Sequence, residues 1–172
     1  EDERSTLITA VEQWVCVDRR TAEGKQKCAQ QKIDDGTSVV TDVDQSGLEY
    51  KFPFNTERKD YTFFDVTLRK ATPIEYDSDE KVNGLSTYKF VQRIDPTKVD
   101  TREVPAALLG GTTGAVTADR MYQNKRTVWV EPLTGQIVKG YGFGVVGRHA
   151  PNLLPPQLGA LSSKWRARRA RT

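Results

Sequence analysis

The sequence predicts a mainly β domain: a curled antiparallel sheet, or a partial or complete β-barrel, with minor helices. Three observations predict it. Apolar and polar residues alternate in several segments, tight-turn residues separate those segments, and helical periodicity is scarce. About eight or nine strands are expected, a number that suits a twisted sheet curled into a full or partial barrel.

The elements follow in chain order. Val15-Cys16-Val17-Asp18-Arg19-Arg20-Thr21-Ala22-Glu23 matches Val128-Trp129-Val130-Glu131-Pro132-Leu133-Thr134-Gly135-Gln136 position by position. Each is a β-branched strand, an acid, two variable residues, Thr, a small residue and Glu or Gln. Acid and Thr side chains close turns by accepting from nearby backbone N–H groups, so the pattern predicts a strand, a turn and a returning strand, used twice. True duplication and a coincidence of short hairpins both fit. A turn centred on Ala22 places Cys16 across from Cys28. Those two cysteines are either a structural disulfide or two unrelated thiols, and the hairpin favours the disulfide, which implies an oxidising compartment.

Further along, Leu48, Tyr50, Phe52 and Phe54 share one face of an expected strand, with Pro53 marking it as an edge or an end. Thr62 to Leu68 puts Phe64, Val66 and Leu68 on one face. Asn83-Gly84 is a strong tight-turn dipeptide joining a strand that ends near Val82 to one over Leu85 to Ile94. That second strand sets Tyr88, Phe90 and Ile94 against Thr87, Lys89 and Arg93. Ala115 to Tyr122 and Arg126 to Glu131 read as a pair around Gln123-Asn124-Lys125. Pro105 to Leu109 reads as one helical turn before Gly110-Gly111. Gly140 to Gly159 is rich in Gly and Pro and reads as loop or linker, and Leu158 to Arg171 as a basic helix capped near Ser162 or Ser163, or a charged end. The expected organisation is a β domain over 1–140, followed over 141–172 by a linker and basic tail.

Composition bounds the function. The 172 residues suggest one domain of ordinary size. Charge is unevenly placed: six of the 26 basic residues and none of the 23 acidic ones follow Gly140, so the body is net −3 and the tail +6. No run of about 20 apolar residues exists to span a bilayer as a helix. The charged start Glu1-Asp2-Glu3-Arg4, without an initiator Met, reads as a mature or cut chain. His149 is the single histidine and lies in the irregular tail, which leaves no zinc set and no His-dependent triad. Neither a phosphate-binding loop nor a dinucleotide fingerprint is present. No cofactor, no metal and no catalytic residues are expected. The basic tail lacks the aromatic interleaving of a single-strand binder, so nucleic acid is not an expected partner, and Trp165 among arginines suits a membrane surface.

Four stretches then gather into one resemblance: Gly47-Leu48-Glu49-Tyr50-Lys51-Phe52-Pro53-Phe54, Val82-Asn83-Gly84-Leu85-Ser86-Thr87-Tyr88-Lys89-Phe90, Thr117-Ala118-Asp119-Arg120-Met121-Tyr122, and Thr127-Val128-Trp129-Val130-Glu131-Pro132-Leu133-Thr134-Gly135. In this order they resemble the actinobacterial PorA-type envelope family, over about Val15 to Gly140. The sequence departs from the family before Val15, where strands are short or missing, and after Gly140. The resemblance implies an extracytoplasmic domain, membrane-anchored in the full-length protein. It also implies links to lipoglycan assembly, to phospholipid handling or to an envelope glycolipid exporter. The strand–turn motif at Val128 to Gln136 is similar to one in lipoprotein-carrier half-barrels. A membrane barrel needs apolar residues facing outward, whereas the alternate faces here carry Lys, Glu, Arg and Thr.

The expectation is therefore a lipid-binding and lipid-transfer domain, holding acyl chains of a phospholipid or glycolipid in a concave β cavity. Phe52, Phe54, Phe64, Tyr88, Phe90, Val128 and Val130 would line the cavity. Arg120 and Arg126 would hold the head group, because a guanidinium suits a phosphate. A non-catalytic scaffold of an envelope glycolipid export complex is the competing expectation. An enzyme would require carboxylates such as Asp65 and Asp119 to meet in a cleft.

Overall fold

The computed structural model describes residues 11–149, except 26–27, 37 and 110–112. The described residues form β1 (Glu12–Trp14), β2 (Lys32–Asp34), β3 (Val39–Val40), β4 (Tyr61–Asp65), β5 (Lys70–Val82), β6 (Leu85–Pro105), β7 (Ala115–Glu131) and β8 (Gln136–His149), with a 3-10 turn at Ala106–Leu109. They make a three-stranded sheet ordered β1-β2-β3 and a five-stranded sheet ordered β4-β5-β6-β7-β8. Within each sheet, chain neighbours are sheet neighbours, as short connections favour. The mainly β reading therefore stands, as a curled sheet not closed into a barrel.

Turn chemistry sets the registers. Asn83 and Gly84 both take positive φ, 51° and 85°, and Val82 pairs with Leu85 across them. Two successive left-handed residues give the turn whose twist matches antiparallel strands. The β5–β6 ladder shifts between Tyr76 and Ser78, a bulge that bends and twists the strand.

By contact density the chain divides into two compact units. One holds Glu1–Pro96 and Tyr122–Val145, the other Thr97–Met121 and Val146–Thr172. The core of the first is aromatic. Phe52 stacks on Phe90 at 4.6 Å between ring centroids and meets Tyr61 edge-on at 5.4 Å. Tyr76 meets Phe90 and Tyr88 edge-on. Leu48, Phe63, Ile74, Val128, Val130 and Ala22 complete the cluster. Even-numbered Phe90, Val128 and Val130 share one face of β6 and β7, as period-two alternation requires. In the second unit, Val104, Ala106 and Ala118 are buried, and Asp119 pairs with Lys98 at 2.7 Å.

Three sequence expectations change. Leu48 to Phe54 is not a strand: Leu48 and Phe52 are buried, while Tyr50 and Phe54 are exposed. The segment enters at Gly47 (φ 85°) and leaves at Asn55 (φ 54°), and it bonds to the turn after β7 through Phe52 N to Gly135 O, 2.8 Å, and Asn55 N to Leu133 O, 3.0 Å. β7 is continuous through Gln123-Asn124-Lys125, because those polar residues lie within the ladder and make no turn. β8 runs on through Gly140, Gly142, Gly144 and Gly147 to His149, so this stretch is strand where the glycines suggested loop. The expected basic helix and the Gly110-Gly111-Thr112 stretch lie outside the described residues.

Candidate functional site

The concave side of the sheet is where the sequence reading placed a cavity, and its residues fix what the sheet can do. β4 and β7 are three strands apart, about 14 Å in a flat sheet at the usual spacing. Yet the Tyr122 hydroxyl on β7 donates to Asp65 Oδ2 on β4 at 2.9 Å, and Arg126 Nη2 reaches the same oxygen at 3.3 Å. Long side chains close that gap only if the sheet curls toward this face. Asp65 is 1% exposed. It also accepts from the backbone N–H groups of Thr67 and Leu68, so it closes the β4–β5 turn and anchors β7 at once.

The network continues across the sheet. Arg126 Nη1 donates to Gln92 Oε1 at 2.7 Å, and Gln92 Nε2 donates to Phe63 O and Thr72 Oγ1, each at 2.8 Å. The guanidinium also lies over the Phe63 ring at 5.1 Å. Buried polar groups persist only when partnered, and this set partners its members around a buried ion pair. Burial and the Asp65 charge both push the Tyr122 phenol up.

Glu49 lies near this network and is different. Its Oε2 is buried without a hydrogen-bond partner. Desolvation pushes its acid up to about 7, against the opposing effects of Gln13 and the Arg126 charge.

The proposed cavity-lining residues divide. Phe52, Phe90, Val128 and Val130 do share the inward face, but the face is filled by their own rings and methyls. Phe54 is outside, 53% exposed with Lys51 Nζ 3.7 Å from its ring centroid. Tyr88 is half-buried beside Tyr76 and Arg58. Phe64 is buried but its neighbour Phe63 joins the aromatic cluster, a residue that the alternation reading missed because it placed the inward face on Phe64. Of the two proposed head-group residues, Arg126 has its guanidinium engaged by Asp65 and Gln92. Arg120 belongs to the other unit, where the Asp100 carboxylate is held below its ordinary range chiefly by the hydrogen bonds from Arg102 and the Thr101 N–H, with the Arg120 charge a smaller contributor. Asp65 and Asp119 likewise belong to different units. Cys16 and Cys28 are disulfide-bonded, with Cα atoms 6.0 Å apart.

The outer face carries a charged cluster beside β8. Trp129 Nε1 donates to Glu80 Oε2 at 2.7 Å, Lys89 pairs with Glu80 and Asp77, and the hydrogen bonds that Trp129 and Lys89 each donate to Glu80 lower its acid. Lys139 of β8 lies over the Trp129 ring at 4.4 Å. A shallow groove of about 710 Å³ runs past Phe54, Tyr61, Pro53, Pro73 and Glu57 on the first unit.

With the concave side filled, unused bonding capacity is left at the two edges of the five-stranded sheet, β4 and β8. Leu48 bonds the outer side of β4, its N–H donating to Thr62 O and its carbonyl accepting from Phe64 N, each at 2.8 Å, so among the described residues β8 is the longer and less covered edge. It has a hydrogen-bonded neighbour, β7, on one side only among the described residues. Tyr141 and Phe143 are 60% and 59% exposed, alternating with Gly140, Gly142 and Gly144. Paired strand edges recruit further strands through unused N–H and C=O groups. Among the described residues no group of three or more His, Cys, Asp or Glu is placed to hold a metal ion, and no helix is long and apolar enough to cross a membrane.

The family model described as Porin PorA matches residues 1–141. The chain is 28% identical over 153 residues to a protein named Porin PorA from Corynebacterium resistens, covering 61% of this chain and 37% of that protein. It is 28% identical over 177 residues to a Porin PorA of Corynebacterium amycolatum, covering 80% of this chain and 44% of that protein. The chain thus spans less than half the length of these relatives. They are named as porins, which corrects the expectation of lipid binding and lipid transport in lipoglycan assembly. The packed concave face agrees with the correction.

Proposed function

We propose, from the premise that this chain belongs to the porin PorA family, that it is a non-catalytic, extracytoplasmic β domain of the cell envelope and an assembly unit of a channel-type protein. The observation that carries this reading is the open edge of the curled sheet. β8 is 14 residues long and offers backbone pairing groups together with exposed Tyr141 and Phe143. A strand of that length exceeds the roughly 9–11 residues that cross a hydrocarbon layer, so its edge is long enough to seat another full strand. The disulfide supports an oxidising compartment. In the full-length protein the domain is held at the membrane, where its assembly takes place.

The test uses the protein extracted from its own envelope. The wild type is expected to fractionate with the envelope, with Cys16 and Cys28 oxidised, and to give ion-conducting steps in planar bilayers. Tyr141→Lys with Phe143→Lys is expected to abolish those steps while the circular dichroism melt is retained. A cytosolic protein with reduced cysteines, or conductance indifferent to both substitutions, overturns the proposal.

A further inference from the structure

Natural sheet edges are blunted by charges, prolines or bulges, because a bare edge pairs with whatever strand it meets. From Gln136 to Gly147, β8 has no proline, no acidic residue and one base, Lys139. That base is drawn onto the Trp129 ring, 4.4 Å from its centroid, so its charge does not guard the edge. The exposed rings of Tyr141 and Phe143 beside it are a surface that water disfavours.

The order of these residues says what fits. Lys139-Gly140-Tyr141-Gly142-Phe143-Gly144-Val145 reads almost the same in both directions about Gly142. Antiparallel pairing about a two-fold axis sets each residue against its mirror position. Centred on Gly142, it places Tyr141 opposite Phe143 twice over and Gly140 opposite Gly144. Lys139 then faces Val145. Aromatic cross-strand pairs are among the more stabilising in sheets, and small residues opposite small ones let the backbones close without a clash. Shifting the register by one residue sets each ring against glycine and loses both pairs.

We propose that the occupant of the β8 edge is β8 of a second copy of this chain, paired antiparallel about Gly142 to join two five-stranded sheets into one of ten. This rests on the reading of β8 as the assembly edge and names its partner.

The register makes the test specific. A Cβ at Gly142 or Gly140 meets nothing within 4 Å, so both positions accept a side chain. Gly142→Cys sits on the two-fold axis and is expected to give a disulfide-linked dimer under mild oxidation, located by peptide mapping. Gly140→Cys faces Gly144 of the other copy, about 13 Å along the strand from its own counterpart, too far for a disulfide. It is expected to stay unlinked alone. Sedimentation equilibrium of the purified chain is expected to give a dimer, and Tyr141→Lys with Phe143→Lys to weaken it at least tenfold with the melt unchanged. A monomer at high concentration, or equal linking at 140 and 142, overturns the second copy as partner. A monomer whose envelope-extracted form still loses conductance with the lysine pair sinks the dimer alone. A register-specific dimer without conductance upholds the dimer and sinks the channel reading.

Discussion

Phe52 and Phe54 are two positions apart and have opposite fates, which shows how local backbone geometry overrides a pattern. Alternation places both on one face, but a strand would have to run straight through Pro53 and Asn55. Proline has no N–H to give to a ladder, and Asn55 holds a left-handed φ of 54°. Phe52 turns inward and stacks on Phe90, while Phe54 stays in water. Phe52→Ala is expected to cost about 3–5 kcal/mol in urea unfolding and Phe54→Ala about 0.5 kcal/mol or less, because one leaves a cavity and the other does not. Asp65 holds Tyr122, Arg126 and two turn N–H groups together. Asp65→Ala leaves the half-buried guanidinium without its counter-charge, for an expected loss of about 3–5 kcal/mol. In a double-mutant cycle with Arg126→Met, the pair is expected to lose less than the sum of the single changes. Arg126 was visible in the sequence as a cation suited to an anion. That the anion is Asp65, 61 residues away, depends on the curl of the sheet, and nothing local announces it.

At the scale of the element, the clearest sequence signal was the repeated strand–turn motif. The structure builds its turn twice, but in the first copy the expected flanking strands reduce to one bridge between Val17 and Gly24. Asp18 Oδ1 accepts from the N–H groups of Arg20 and Thr21, as the Glu131 carboxylate does from Leu133 and Thr134. Ala22 N donates to Asp18 O at 2.8 Å, and Gly135 N to Glu131 O at 2.9 Å. Ala22 and Gly135 both take positive φ, 61° and 72°. The motif was legible because its chemistry is local: an acid and a Thr at fixed offsets satisfy the turn's own N–H groups. The start of β8 was read as the returning strand of that motif, but from Gly140 on it was illegible because its glycines mimic a loop, and only pairing with β7 makes it extended. The two turns differ in what surrounds them. A Cβ on Gly135 would lie 2.1 Å from Phe52 O, whereas Ala22 already carries one. Gly135→Ala is therefore expected to displace the Phe52 segment and lower the thermal midpoint sharply, by well over 5 °C, while Ala22→Gly shifts it little. Differential scanning calorimetry distinguishes the two.

At the scale of the whole molecule, titration links the pieces, and the groups pull in opposite directions. The Asp79 carboxylate is held at about 2 by Arg58 and the Tyr76 hydroxyl, so it favours the folded state above its ordinary 3.8 and loses that effect as pH falls through 2. Glu49 acts with the other sign. Its ordinary value is 4.5 and its folded value about 7, so between these the folded chain binds a proton that the unfolded chain does not. Its stabilising effect is complete below 4.5 and disappears as pH rises through 7. The cause is geometric: one carboxylate oxygen is buried without a donor, and the Arg126 charge that would relieve it is already engaged by Asp65. Ionising Glu49 sets an unsolvated charge beside the network that fastens β4 to β7, so the loss is felt where the sheet is most curled. The wild-type chain is expected to lose stability steadily from pH 5 to pH 8 in urea titrations. Glu49→Gln keeps the shape and removes the charge, and it is expected to flatten that slope and to be the more stable of the two at pH 8. An unchanged slope in the variant would mean that Glu49 is ionised without penalty, and that the buried oxygen finds a donor in solution.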